Sequence, residues 1–444
     1  MILNRRVSKH VFSGSVMVII TMLFLIVVVI KAPNQRMNYL LAVIPPIIGA
    51  CTLLYQADKS ASIIPSVVTL LFAFIIICGN AYQIVLGENS PFKIFMLNFV
   101  ALIGAGISIT VYIKLIKKRL LNSKRGYLLA IYSIGGTIFA LFMILLLFGT
   151  TIGGARLWLK IGSLTIELSE INKLFFCFLL SLIYNSNMGV RNKIIYGIIA
   201  LGVSSLFLVL LNEFGTVIIL FVVYLISFYI HIRSRYSLLM ISGIILVMVI
   251  ALAVIFGTHE GIKDSNGFFA DKLNKIYDRL VLADTDQVTR AIQGMINGGA
   301  FGADPNYIIS YYSIEADFSL AGIAQYFGLI AMLLCVCFVA TIVYLVFSVG
   351  RNNTLNNRSR YKLSFILMSA IAVQTLLSLA GNIGLPCAGV GLSGISAGGT
   401  QLLTFYIEAA FIIYGLLENN VVEPYSISTG YSFDRRNYSV EDKV

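Results

Sequence analysis

A succession of apolar runs, each long enough to cross a bilayer, constrains this chain more than any other feature. A membrane-spanning helix needs roughly 17–25 mostly apolar residues, because hydrocarbon offers no water to an unsatisfied backbone group. By that criterion about 12 runs qualify. They centre on residues 11–30, 39–54, 63–86, 94–116, 127–149, 168–184, 194–211, 214–230, 238–256, 320–347, 363–380 and 402–417. Hydrophobic residues make up 58% of the chain and charged residues 12%. Soluble domains carry ~25% charged residues, so a soluble enzyme is excluded. The six Cys are scattered and suggest no disulfide framework. Cys51, Cys78, Cys335 and Cys337 fall in apolar runs, where a thiol packs as a small hydrophobe. The fold class that follows is an all-α polytopic membrane protein with one large extracellular loop.

The net charge of +12 raises the question of nucleic acid. Placing the N-terminus inside answers it. Arg5, Arg6 and Lys9, the run from Lys117 to Arg125, Arg191 and Lys193, Arg233 and Arg235, and Arg351 to Lys362 then all become cytoplasmic. The basic excess is the positive-inside bias of a membrane protein, and no basic face is left for nucleic acid. The first apolar run follows basic residues as a signal peptide does, but its length and the lack of a small-residue cleavage site favour a retained helix. Both termini are expected in the cytoplasm, and the polar segment 418–444 reads as a flexible tail.

The same orientation leaves residues 257–317 outside, the one long hydrophilic loop. Phe269, Leu273, Ile276 and Leu280 form one helical stripe, and Val288, Ile292, Met295 and Ile296 a second. These spacings predict two amphipathic helices on the outer membrane face or capping the bundle, the second ending at Gly298 and Gly299.

Charges within spans are expensive and need a reason. Glu170 and Lys173 stand three apart at the outer end of the sixth span, able to pair on one helix face. They either hold two helices together or line a polar cavity open to the outer leaflet. Arg156, Trp158 and Lys160 lie in the external turn before that span. Trp158 between cations makes an interfacial anchor, and the same two cations suit the phosphates of a lipid. For Glu213 and Glu408 packing or hydrogen bonding is the simpler role. Nucleotide and zinc motifs are missing, and the three His share no spacing. Chemistry here must run on carboxylates and cations; the sequence requires no cofactor and offers no metal site, although a divalent cation could enter with a phosphate-bearing lipid.

At this point the motifs align with a family. Gly154-Ala155-Arg156-Leu157-Trp158-Leu159-Lys160-Ile161-Gly162, followed by Leu168-Ser169-Glu170 and Lys173, resembles the GARRWI…G…QPSE..K signature of the SEDS proteins (shape, elongation, division and sporulation). Glu213-Phe214-Gly215-Thr216 is similar to DLGT, Ala291 to Gly302 to AI.SGG..G, and Ala316-Asp317-Phe318 to TDF. Gln374, Asn382-Ile383-Gly384, Pro386, Gly389 and Ser396 to Thr400 resemble the closing Q…NIG…P..G…SYGGS block. Departures are Leu157 for a second Arg, Gln325 and Tyr326 for an acidic pair, Glu213 for Asp, Ser393 for Pro and Ala397 for Tyr. The front part holds about five spans where the common form has three. The chain therefore divides into a five-helix part, residues 1–152, with about two extra N-terminal helices, a SEDS-like core 153–417 that holds the remaining spans, and the tail; without the two extra helices the SEDS-like set numbers about ten.

The resemblance implies polymerisation of lipid II on the outer membrane face, beside a class B penicillin-binding protein that crosslinks the strands. A sugar hydroxyl is a poor nucleophile until a base takes its proton, and a departing pyrophosphate needs cations. The family's base is an aspartate shortly before the AI.SGG segment. Asp284 ranks first for that role by its distance from Arg279, Asp286 second, and Asp278 falls on the first amphipathic helix. Arg156, Lys160, Arg279 and Arg290 are the candidates for pyrophosphate contacts, Glu170 and Lys173 for the substrate cavity, and Asp317 for positioning a loop or substrate. A flippase for the lipid-linked sugar and an inactive scaffold for a crosslinking enzyme are the competing readings.

Overall fold

In the computed structural model the described residues are 36–57, 63–87, 90–117, 124–152, 155–162, 164–186, 188–231, 285–311, 313–350, 359–385, 390–396 and 398–417, with isolated positions between 19 and 31. Twelve helices are named here: α1 (Arg36–Ala57), α2 (Ile64–Leu86), α3 (Pro91–Lys117), α4 (Lys124–Phe148), α5 (Leu168–Asn185), α6 (Val190–Leu210), α7 (Phe214–His231), α8 (Thr285–Gly298), α9 (Ser319–Phe327), α10 (Leu329–Gly350), α11 (Ser359–Asn382) and α12 (Gly399–Leu417). Among the described residues nine helices are long and apolar enough to cross a membrane, and α1 adds the shorter apolar stretch Tyr39–Tyr55. The expected spans 11–30, for most of its length, and 238–256 lie outside the described residues, as does the first amphipathic stripe of the loop.

Helices α2, α5, α11 and α12 bury most of their length, whereas α3, α4, α6 and α10 bury little. Leu129, Leu147, Leu206 and Leu333 are exposed on that outer ring, which suits a lipid solvent rather than water. Local signals explain several helix ends. Pro65 stands in the first turn of α2, where its missing N–H costs nothing, and Gly87 closes the helix at φ 76° with its N–H on the Gln83 and Ile84 carbonyls.

α1 carries Pro45 and Pro46 in its interior. Pro46 has no N–H to offer the carbonyl of Ala42, four residues back. Asn80 of α2 supplies the missing donor, with its Nδ2 3.1 Å from that oxygen. Asn98 of α3 donates to Asn80 Oδ1, and the Tyr406 hydroxyl of α12 donates to Asn98 Oδ1. Four helices are thus tied by one buried polar chain.

Two features differ from expectation. The turn around Trp158 is an antiparallel meander of β1 (Thr150–Ile152), β2 (Ala155–Ile161) and β3 (Leu164–Glu167), with Trp158 opposite Glu167 and Lys160 opposite Thr165. Alternation explains it, since Ala155 and Leu157 are buried while Arg156 and Trp158 are half-buried and Lys160 exposed. The second difference is the run 320–347, which does not form one span. It breaks at Gly328, φ 95°, into the short α9 and the spanning α10. A Cβ on Gly328 would run into the Ala300 carbonyl, while Leu329 N–H donates to Gly299 O and Ala303 N–H to Gln325 O. The segment after α8 lies on the break itself, and only glycine permits both the approach and the backbone.

Gly328→Ala should therefore destabilise the protein by about 2 kcal/mol or more. Gly106→Ala, at a helical position with no atom near the added methyl, should be neutral or stabilising by up to about 1 kcal/mol. Thermal melts of the two variants in detergent compare them directly, and equal melting would refute the packing argument.

Candidate functional site

The sixth expected span is α5, and its first turn carries Glu170 and Lys173, both buried. Lys173 Nζ donates to Glu170 Oε2 at 2.6 Å and to Gln374 Oε1 of α11, and stands 4.0 Å from Glu408 Oε1 of α12. Glu408 Oε1 accepts no hydrogen bond. One ammonium thus holds three helices, with two carboxylates and an amide around it. In hydrocarbon an unpaired charge costs several kcal/mol, so the helices are held where the pairing is met.

From this cluster, hydrogen bonds climb to the end of the bundle that carries the meander. Gln374 Nε2 and Gln401 Nε2 both donate to Gly391 O, and Ser396 bonds to Gln401 Oε1. Gln83 Nε2 donates to Ile395 O, and Tyr82 OH to Ile314 O at 2.6 Å. Asn382 receives the Ala321 N–H on Oδ1 and donates from Nδ2 to Asp317 O. The irregular segments 299–318 and 390–398 are therefore held by side-chain amides and hydroxyls from the helices below them. Gln325 Nε2 donates to Ile309 O, a bond that the family's carboxylate could not make.

A group of acids lines this end. Glu213 precedes α7 and accepts both the Thr216 N–H and hydroxyl at 3.1 Å, an N-terminal cap. Asp317 is half-buried where the loop enters α9. Glu167, the last residue of β3, is half-buried. Its backbone N–H donates to Thr400 Oγ1 of α12, and its Oε1 accepts from Ser169 Oγ at 2.9 Å. Burial and then the charges of Glu170, Glu213 and Asp317 push its carboxyl up to about 8, against the smaller opposite effect of the Ser169 hydrogen bond.

The structure brings Glu170, Lys173 and Asp317 to this end and joins them to Glu167 and Glu408. Arg156 is half-buried, with Nε on the Gly149 carbonyl at 2.7 Å and Nη2 near Leu147 O, so it caps the last turn of α4. Lys160 is exposed on β2. The second stripe forms α8 as expected, with Val288, Ala291 and Met295 buried and Ile296 turned outward. α8 packs on α9 and α11 and so caps the bundle. Asp286 and Arg290 pair with each other on its exposed side at 3.1 Å. Asp284, Asp278 and Arg279 lie outside the described residues. Glu167 escaped the sequence reading, although QPSE carries a Gln where this chain has that acid; the strand that aims it was not expected.

These features define a multi-pass membrane protein with a buried ion cluster beneath a polar site built from loops and a small sheet. The chain belongs to the FtsW/RodA/SpoVE family, whose model, described as cell cycle protein, matches residues 59–420. Relatives include the probable peptidoglycan glycosyltransferases FtsW of Enterococcus hirae, 26% identical over 76% of this chain and 86% of the relative, and of Wigglesworthia glossinidia brevipalpis, 26% identical over 62% and 73%. A chain of a peptidoglycan synthase complex that coordinates polymerization and crosslinking superposes with TM-score 0.56 at 17% identity, covering 80% of this chain and 98% of the other. A mutant of the Thermus thermophilus rod shape determining protein RodA gives 0.52 at 15%, covering 80% and 97%. α1 lies ahead of the matched residues.

Two outcomes are expected. Lys173→Met strands two buried carboxylates and should cost about 3–5 kcal/mol. Adding Glu170→Gln should recover part of it, and losses that simply add would mean the two residues do not couple. The folded protein keeps the Glu167 proton up to about pH 8, whereas an ordinary carboxyl releases it near 4.5. It binds more protons than the unfolded chain across that window, so this residue's contribution falls as pH rises through it. Glu167→Gln should melt like wild type at pH 4 and progressively above it toward pH 8; equal melting at pH 8 would remove the claim.

Proposed function

We propose that this protein polymerises lipid II into glycan strands on the outer face of a bacterial cytoplasmic membrane, in company with a class B penicillin-binding protein. The observation that carries the reading is the convergence of the family motifs: the Glu170–Lys173 cluster, the closing block around Gln374 and Asn382, and the acids of the loop end meet at one site. Membership of the family supports the same reaction, since the relatives named above are probable peptidoglycan glycosyltransferases.

In the proposed reaction a sugar hydroxyl of one lipid II attacks the anomeric carbon of another with inversion, and the bond to the pyrophosphate lipid breaks. A loop carboxylate takes the hydroxyl proton, Asp284 first and Asp286 second. The exposed Asp286–Arg290 pair supports that order, because it already engages the Asp286 carboxylate with an arginine of its own helix. Lys160, Arg156, Arg279 and Arg290 offer positive charge to the pyrophosphate. Arg156 would leave the α4 carbonyls to do so, which ranks it below Lys160. The buried Glu170–Lys173 pair serves the site from beneath by fixing the helices that carry it, and Asp317 positions the loop at the entrance of α9. The domain division at residues 152 and 417 and a cytoplasmic location of both termini belong to the same proposal.

Purified protein incubated with lipid II, alone and with the penicillin-binding protein, tests it. Polymer is expected; translocation without polymer would mean a flippase, and neither would mean a scaffold. Asp284→Asn should lower the polymerisation rate by about 10²–10⁴-fold, with Asp286→Asn milder. The opposite order would transfer the base to Asp286. Asn306, just inside the short turn Pro305–Tyr307, reports orientation: a cysteine there should react with an impermeant reagent on intact protoplasts, and reaction only after permeabilisation would reject the outer-face site.

A further inference from the structure

We propose that Glu167 is a further catalytic residue of this site, the acid that hands its proton to the departing pyrophosphate oxygen. The proposal rests on the glycosyltransferase reading above. It begins with the sheet. Residues directly opposed in an antiparallel pair project to the same face, and alternate residues of a strand do as well. Trp158 opposes Glu167 and Lys160 opposes Thr165, so Arg156, Trp158 and Lys160 share one face of the meander with Glu167. The cations suited to a pyrophosphate and this carboxyl are therefore presented together.

The surroundings separate Glu167 from the other acids. Glu170 is compensated by Lys173, and Glu213 by the N-terminus of α7. Asp317 faces Glu167 from the loop before α9, and Glu408 lies beneath, 4.0 Å from Lys173 with an oxygen that accepts no hydrogen bond. Among the described residues no cation pairs with Glu167, and its carboxyl receives only the Ser169 hydroxyl. Burial and these neighbouring charges push its carboxyl up to about 8, which leaves it protonated at neutral pH. A neutral carboxyl donates a hydrogen bond where a carboxylate would repel a phosphate. Sites that use two carboxyl groups divide them this way, with the group of raised pKa as acid and the solvated one as base.

The step balances. The hydroxyl oxygen forms the new bond to the anomeric carbon and its proton passes to the loop aspartate. The electron pair of the breaking bond goes to the pyrophosphate oxygen, which takes the Glu167 proton. Water returns a proton to Glu167 and removes one from the aspartate.

The test is the pH dependence of kcat for lipid II polymerisation. Wild-type kcat should fall as pH rises past about 8. Glu167→Gln should lower kcat by about 10²-fold, near the low end for a general acid because pyrophosphate leaves readily, should lose the alkaline limb, and should keep KM. Ser169→Ala removes the hydrogen bond that favours the ionised form, so its limb should move to higher pH. Size-exclusion profiles establish that each variant is folded, and Ser169→Ala gives an answer even if Glu167→Gln does not fold. Polymer from a folded Glu167→Gln at the wild-type rate with the alkaline limb intact overturns the acid role and leaves the polymerase reading standing. An unmoved limb in active Ser169→Ala also overturns it. No polymer from wild type under any condition overturns both.

Discussion

The pairing of Lys173 is the interaction on which the rest of the arrangement depends. An ammonium at the top of α5 is tolerable within apolar helices only if it is paired, and its partners come from three helices: Glu170 on α5 and Gln374 on α11 accept its hydrogen bonds, and the Glu408 carboxylate on α12 stands 4.0 Å away. Meeting that requirement sets the relative position of three of the four most buried spans. Gln374 then spends its amide on the Gly391 carbonyl, and α12 presents Thr400 to the backbone of Glu167. The buried charge and the site above it are parts of one hydrogen-bonded construction.

Irregular backbone close to a membrane interior must be satisfied by protein groups. Here the donors are side-chain amides and tyrosines. Asn80 replaces the N–H that Pro46 lacks, Tyr82 and Gln83 hold the two long loops, and Asn382 ties the entrance of α9. The loops can carry a site because their conformation is imposed from the helices, which leaves their own exposed side chains available for a substrate.

The departures from the family signature have local physical reasons. Leu157 is 2% exposed on the inward face of β2, where an arginine would bury a charge. Glu213 serves as an N-terminal cap as an aspartate would. Gln325 is fully buried and donates to Ile309 O. Each keeps the architecture; Leu157 and Gln325 leave out charges that the signature carries, whereas Glu213 keeps its own.

Local order in the chain was enough to read most of the spans among the described residues, the second loop helix with its glycine end and the Glu170–Lys173 pair, since 3.6-residue periodicity and a spacing of three encode them directly. The meander, the break at Gly328 and the roles of Glu408 and Glu167 were decided by tertiary structure. A strand of seven residues between two glycine-containing turns has too short an alternation to stand out beside spans three times its length. Gly328 breaks its helix because Ala300 packs on it, and nothing within the run 320–347 records that contact. Lys173 finds Gln374 201 residues away, and Glu167 finds Thr400 at 233. Hydrophobic periodicity states which face of a helix is buried, but not which helix covers it, so the partners of a buried charge emerge only when the bundle closes.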